Sequence, residues 1–247
     1  MITTEDSTII RVEHLIKSFD ENVVLNDFNV SLEKGKNLVI LGRSGSGKSV
    51  LLKCIMGLEK PDSGKVEVFG KNIPELNQKD LDAIRKKIGF LFQGSALYDS
   101  MTVKENLEFP MRQEINKNSR KEIDERIVKA LNSVGLPGTE NMMPTELSGG
   151  MKKRIGLARA IIRNPEIILY DEPTAGLDPV TGKEISHLIV EIQKQYNTSA
   201  IIITHDISCA KIAANKIVVL EGGICKKEGT YNEMLNSDDK AVKQFFE

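Results

Sequence analysis

The sequence has no tryptophan and only three cysteines and three histidines. Cys54, Cys209 and Cys225 lie far apart with no C-x-x-C spacing, which argues against a disulfide framework or a zinc site and leaves three buried small hydrophobes in a reducing cytosol. Neither charge is in excess. The 34 Lys and Arg residues against 35 Asp and Glu give a net charge of −1, without the basic surplus of a dedicated nucleic-acid binder, so no nucleic-acid partner is expected. Long apolar runs are missing too. Stretches such as Leu38 to Leu41 and Ile167 to Tyr170 stop at four residues, where a membrane-spanning helix needs ~18. The first residues, MITTEDSTII, carry acids where a signal peptide has a basic region, so no secretory leader is expected. What remains is an ordinary globular chain, 28% charged and 40% hydrophobic. Its 247 residues suit one large domain or two small ones, at about 150 residues per domain.

Short β-rich runs alternate with helical patterns, as in a mostly parallel sheet covered by helices. Strands are expected at Ile9 to Val12, Phe28 to Leu32, Asn37 to Leu41, Lys65 to Val68, Gly89 to Phe92, Ile167 to Tyr170, Ala200 to Thr204 and Ile217 to Leu220. Three of these, at 38–41, 167–170 and 200–203, are apolar without alternation, which places them at the sheet centre, buried on both faces. Pro61-Asp62-Ser63-Gly64 suggests a tight turn. Residues 94–156 have little β pattern and look like a helical insertion. One helix there carries Ile123, Ile127, Ala130, Leu131 and Val134 on a single face, with Asn116 to Ser119 as a polar linker before it and Pro137-Gly138 closing it. No internal repeat or low-complexity segment interrupts the chain.

Three sites carry chemistry. Gly42-Arg43-Ser44-Gly45-Ser46-Gly47-Lys48-Ser49 lies between a buried strand and an apolar helical run that begins at Val50. Glycines let backbone N–H groups close around phosphate oxygens, Lys48 reaches the β and γ phosphates, and Ser49 offers its hydroxyl to Mg²⁺; this is a P-loop. Ile167 to Glu172 is a buried strand ending in two carboxylates. Alternation along it should point Asp171 and Glu172 differently, Asp171 to Mg²⁺, directly or through water, and Glu172 to the attacking water as general base or water-orienting group. Leu147-Ser148-Gly149-Gly150-Met151 opens a helix through Lys152, Lys153, Arg154 and Leu157. It reads either as a simple N-cap or as a second anion-binding terminus that serves the γ-phosphate of a nucleotide held by another copy.

In its motifs and their order the chain resembles the nucleotide-binding subunit of an ATP-binding cassette (ABC) transporter, over residues 9 to 235. The P-loop at 42–49, Gln93 after a strand, the signature Leu147 to Met151, Asp171-Glu172, Ala175-Gly176-Leu177-Asp178 and His205 follow the family's sequence, and Ser148 precedes Asp171 by the customary 23 residues. The resemblance implies a P-loop NTPase (RecA-like) α/β core at about 9–93 and 157–230, with an antiparallel N-terminal β part, a helical signature subdomain at about 94–156 and a tail at 237–247. It also implies ATP and Mg²⁺ as cofactors and a homodimer around two nucleotides. Phe19 would stack on adenine, unless it is a core aromatic before a turn. Gln93 would sense Mg²⁺ and the attacking water. Asp178 would communicate across the dimer, cap the helix at Pro179, or both. His205 would contact the γ-phosphate.

Phe92 to Val103 is similar to the lipid-transport (Mla or MCE-associated) branch, as are Met151 in place of the usual Gln and Met143-Pro144-Thr145-Glu146-Leu147 before the signature. That branch implies a membrane permease docking near 94–110, with Leu97, Tyr98 and Met101 as an exposed apolar cluster. It further implies an MCE-domain lipid-binding component, a place on the cytoplasmic face of the inner membrane, and phospholipid or another hydrophobic substrate. The alternatives are a subunit for small polar solutes or lipoprotein release, and a soluble ABC ATPase of iron–sulfur cluster assembly.

Overall fold

The computed structural model describes residues 7–112 and 119–246, and two sheets carry its architecture. The chain begins with β1 (Thr8–Phe19), β2 (Asn22–Glu33), β3 (Asn37–Leu41), α1 (Lys48–Ile55), β4 (Ser63–Val68), β5 (Lys71–Asn72), α2 (Gln78–Arg85) and β6 (Ile88–Leu91). The helices α3 (Val103–Glu108), α4 (Arg120–Ser133) and α5 (Gly149–Ile161) follow. Then come β7 (Ile167–Asp171), α6 (Pro179–Tyr196), β8 (Ser199–Thr204), α7 (Ile207–Ala213), β9 (Lys216–Glu221), β10 (Ile224–Gly229), α8 (Tyr231–Leu235) and α9 (Lys240–Phe246).

The larger sheet has the order β10-β9-β3-β8-β7-β6, parallel from β9 to β6 with β10 antiparallel at its edge. The smaller, β2-β1-β4-β5, is antiparallel throughout. The unbroken apolar runs occupy β3, β8 and β7, side by side at the centre. Alternation sends Leu38 and Ile40 into one core and Val39 and Leu41 into the other, so these four positions of β3 are all apolar, while the buried Asn37 at its start donates to the Ala213 carbonyl.

Several expected boundaries move. β1 and β2 are each 12 residues long, far beyond Ile9–Val12 and Phe28–Leu32. Register shifts around His14 (φ 51°) and Asp27 (φ 56°) break the two-residue alternation by which a strand is recognised in a sequence. β5, β10 and α2 were not expected; β10, Ile-Cys-Lys-Lys-Glu-Gly, is a half-exposed edge with little apolar pattern. Pro61 to Gly64 is not a tight reversal. Ser63 and Gly64 open β4, and the Asp62 carboxylate accepts the Ser18 N–H at 2.6 Å. Gly64 has φ +90° and sits so close to His14 that a Cβ would fall 2.3 Å from its carbonyl oxygen.

Among the described residues, 94–156 contains no strand. α4 buries Ile123, Ile127, Ala130 and Leu131 as expected, and Val134 just beyond it. It does not end at Pro137-Gly138. Its last residue is Ser133, after which Gly135 turns left-handed (φ +69°) and the Leu136 N–H donates to the Leu131 carbonyl at 2.9 Å; Pro137 and Gly138 belong to the next turn. Of the expected linker, residues 116–118 lie outside the described residues, and Ser119 is the N-cap of α4, in a capping box with Glu122. The subdomain boundary expected at 156 falls inside α5, which is continuous and lays Gly156 against Leu91 of β6. The tail is not loose: Val242 of α9 is buried, and the Phe246 ring meets Tyr231 edge-on at 5.5 Å. All three cysteines are free, but only Cys54 and Cys209 are buried as expected; Cys225, on the edge strand β10, is half-buried. Burial pushes the thiol of Cys54 up to about 11 and that of Cys209 up to about 12, as expected of inert core residues. No helix among the described residues is long and apolar enough to cross a membrane.

Candidate active site

The P-loop leaves the carboxyl end of β3, a central strand of the larger sheet, where α/β sheets commonly open a ligand crevice. Gly47 caps α1 in the left-handed region (φ +100°), and a Cβ there would lie 2.8 Å from the Val24 carbonyl oxygen, so conformation and space both demand glycine. Lys48 is 6% exposed. Its Nζ donates to the carbonyls of Gly42 at 2.6 Å and Arg43 at 3.0 Å, curling the loop around the ammonium. The Ser46 hydroxyl is buried with no hydrogen-bond partner among the described residues.

The acidic pair takes different partners in one cleft, although Glu172 lies beyond the end of β7 and strand alternation does not set its direction. The Ser49 hydroxyl lies 3.3 and 3.4 Å from the two carboxylate oxygens of Asp171, the last residue of β7. Glu172 adopts φ 47°, a conformation that costs about 1–3 kcal/mol outside glycine and asparagine and that clusters at functional sites. Its Oε1 is 3.4 Å from Lys48 Nζ, and its Oε2 is 3.0 Å from Nδ1 of His205, the residue that follows β8. Burial pushes the Asp171 carboxyl up from the usual carboxylate range; the Ser49 hydroxyl pulls it down and the neighbouring Glu172 raises it further.

One cleft of about 400 Å³ takes in Phe19, the loop from Ser44 and Gly45 through Gly47, Lys48, Ser49 and Val50, and also Gln93, Asp171, Glu172 and His205. Val24, which belongs to no motif, also lines it. Phe19 is not a core aromatic: the residue is 41% exposed, with Lys17 Nζ 5.0 Å from the ring centroid. The donor set suits ATP with Mg²⁺. An unpaired buried hydroxyl in a loop of backbone amides fits phosphate, and a hydroxyl against a carboxylate of raised pKa fits a divalent cation, whose charge would reverse that shift.

Ser148, Gly149, Gly150 and Asp178 do not line the cleft. Ser148 caps α5 by accepting the Met151 N–H at 3.2 Å, while a Cβ on Gly150 would meet the Thr181 methyl at 2.8 Å. Asp178 caps α6, accepting the N–H groups of Val180 and Thr181 and the Thr181 hydroxyl. The expected apolar cluster is only partly exposed. Leu97 packs against the core and Met101 is half-buried, whereas Tyr98 is exposed with its ring 4.6 Å from that of Phe109.

Side chains that no motif marks as functional brace these segments. Arg159 donates to the carbonyls of Ser95 and Ala96, both at 2.7 Å. The buried Asn106 amide accepts the Tyr98 N–H and donates to the carbonyls of Tyr98, Met101 and Thr102. Arg43 of the P-loop donates to Gln244 of α9 at 2.5 Å. Lys153 donates to the backbone carbonyls of Gln93 and Glu172. A signal for Lys153 did exist: spacing of four puts it on the face of Leu157 and Ile161, which is buried.

A nucleotide-binding loop at the end of a central parallel strand, faced by carboxylates from a strand two places away, puts the protein among the P-loop nucleoside triphosphatases. The ABC transporter family model matches residues 25–175. The probable ribonucleotide transport ATP-binding protein mkl of Mycobacterium leprae is 40% identical, over 96% of this chain and 68% of its own. The methionine import ATP-binding protein MetN of Campylobacter jejuni is 36% identical, over 96% and 75%. The dimeric structure of MJ0796, a bacterial ABC transporter cassette, superposes with a TM-score of 0.82 at 32% identity, over 90% of this chain and 99% of the other. A further dimeric structure of that cassette, in a post-hydrolysis state, is bound to ADP and Pi. The chain belongs to the ABC transporter family, as an ATP-binding cassette that hydrolyses ATP with Mg²⁺. It spans about two thirds of the length of the mkl relatives it matches.

Proposed function

We propose that two copies of this cassette close around two ATP–Mg²⁺ and drive a membrane permease that moves phospholipid or another hydrophobic substrate. In this reading Lys48 holds the β and γ phosphates, and backbone amides of Arg43 to Val50 cradle them. Ser49, Asp171 and Gln93 would hold Mg²⁺, which would supply positive charge to offset that of the phosphates. Glu172 orients and deprotonates the attacking water, with His205 on the γ-phosphate side and Phe19 against adenine. Ser148, Gly149 and Gly150 serve the nucleotide of the opposite copy, and Asp178 faces it across the dimer. The observation that carries the nucleotide chemistry is the meeting of Lys48 and His205 on the Glu172 carboxylate.

The permease would dock on residues 94–110, which are pre-shaped by Arg159 and Asn106. Tyr98→Glu is expected to abolish co-purification with the permease while the melting temperature stays near wild type, because the ring is already exposed. Leu97→Glu, at a position packed on the core, should instead lower stability by about 1–3 kcal/mol. Thermal melts and pull-downs of the two variants separate docking from packing; equal destabilisation by both would remove the docking assignment.

The lipid assignment rests on the resemblance of residues 92–103 and 143–151, and it carries with it an MCE-domain partner and a site on the cytoplasmic face of the inner membrane. A cassette biases a permease only through contacts that differ between its ATP-bound and free states, so nothing in this chain reads the cargo. Relatives named for ribonucleotide transport and methionine import favour a second reading, a small polar solute. A deletion strain is expected to show altered membrane lipids, restored by wild type and not by Lys48→Ala. Unchanged lipids together with lost uptake of an amino acid or nucleotide would move the assignment to the second reading.

A further inference from the structure

Lys153 sits in the second turn of α5, 4% exposed, with its ammonium between two backbone carbonyls: that of Gln93, just after β6, and that of Glu172, at 3.2 Å, just after β7. A buried ammonium carries a desolvation cost that only good partners offset, and burial lowers its pKa here despite nearby Asp171 and Glu172. An apolar residue between Gly149 and Leu157 would avoid that cost. What the ammonium does instead is grip the backbone of two residues whose side chains line the nucleotide cleft.

The grip on Glu172 falls on a strained residue. With φ 47°, Glu172 has its N–H on the Ile203 carbonyl at 2.9 Å, and its own carbonyl takes the Ala175 N–H at 3.2 Å as well as the Lys153 ammonium. Strain of this kind persists only where the surroundings over-determine it. The same helix is capped by Ser148, five residues before Lys153 and so about 7.5 Å away along the axis. A contact at Ser148 is therefore joined by one continuous helix to the ammonium that holds the carbonyls of Gln93 and Glu172.

We propose that Lys153 is a positioning residue that ties the signature helix to Glu172 and Gln93 of its own chain, so that engagement at Ser148 sets the aim of the Glu172 carboxylate. This rests on the roles given above to Glu172 and Ser148. Lys153 touches neither nucleotide nor water; it acts through the backbone.

A double-mutant cycle on the full chain tests it, using single-turnover and steady-state hydrolysis of ATP–Mg²⁺. Lys153→Met keeps length and removes the donor, and should lower the hydrolysis rate by about 10- to 100-fold, the scale of a small misplacement of a reacting group. The KM for ATP should stay within about twofold, because binding by the P-loop is untouched. In a Glu172→Gln background, Lys153→Met should change the residual rate by less than about threefold, because no carboxylate remains to be aimed. If Lys153→Met does not fold, as judged by its melting curve, Lys153→Gln enters the same cycle; it donates to one carbonyl and should give an intermediate rate. The proposal is overturned by a Lys153 variant that is folded and retains the wild-type rate, that raises KM with kcat unchanged, or that slows both backgrounds by the same factor. Retention of hydrolysis by Glu172→Gln alone would instead count against the role of Glu172, so the two failures are distinguishable.

Discussion

Glu172→Gln should bind ATP–Mg²⁺ as tightly as wild type and hydrolyse it about 10²- to 10⁴-fold more slowly, the usual contribution of a positioned general base. The amide keeps the shape of the side chain and its place beside Lys48 Nζ and His205 Nδ1, 3.4 and 3.0 Å from the present carboxylate, but it accepts no proton from water. Folding should be little affected. The left-handed backbone at 172 is held by main-chain partners and by Lys153, none of which involves the side-chain carboxylate. With hydrolysis blocked, ATP-bound dimer should accumulate and elute at twice the monomer mass in gel filtration with ATP. Normal phosphate release from a species that stays monomeric would exclude Glu172 as the base.

Ser148→Arg should abolish hydrolysis, by at least about 10²-fold on the scale of a lost phosphate-facing donor, and leave ATP binding to the isolated chain intact. The reason is positional: Ser148 does not line the cleft that holds Lys48, Asp171 and Glu172, so within one chain it has no phosphate to contact. Loss of its N-cap bond to Met151 costs only about 1 kcal/mol of stability, too little to explain an inactive protein. Mixing provides the decisive measurement. In a dimer of one Ser148→Arg chain with one Lys48→Ala chain, the P-loop of the first faces the signature of the second, and that composite site is wild type throughout. Activity should therefore rise when two inactive proteins are mixed. A mixture as inactive as its parts would place the Ser148 defect within its own chain.

The central strands were legible because β3, β7 and β8 are buried on both faces and each holds an unbroken apolar run of four residues, a pattern that survives without any knowledge of neighbours. The cleft residues were legible because phosphate binding constrains a contiguous loop and Mg²⁺ chemistry constrains the end of a strand. Less was readable in β1 and β2, whose bulges at His14 and Asp27 break the alternation, and in β10, an edge strand under little demand for apolar residues. The end of α4 was misplaced for a related reason: Gly135 could already terminate the helix, and the more conspicuous Pro137-Gly138 pair obscured it.

By itself, the sequence determined which residues could bind phosphate and metal, since those powers belong to residue types at short spacing. Only the tertiary structure decided which of them meet. It brought Phe19, Gln93 and His205, spread over most of the chain, to one cleft, and left Ser148 and Asp178 outside it. It also turned Leu97 inward and put the Lys153 ammonium on two carbonyls that lie 79 residues apart in the chain. Backbone carbonyls carry no residue identity, so contacts made to them leave no pattern in a sequence. They exist only once the sheet has closed and the helix has docked.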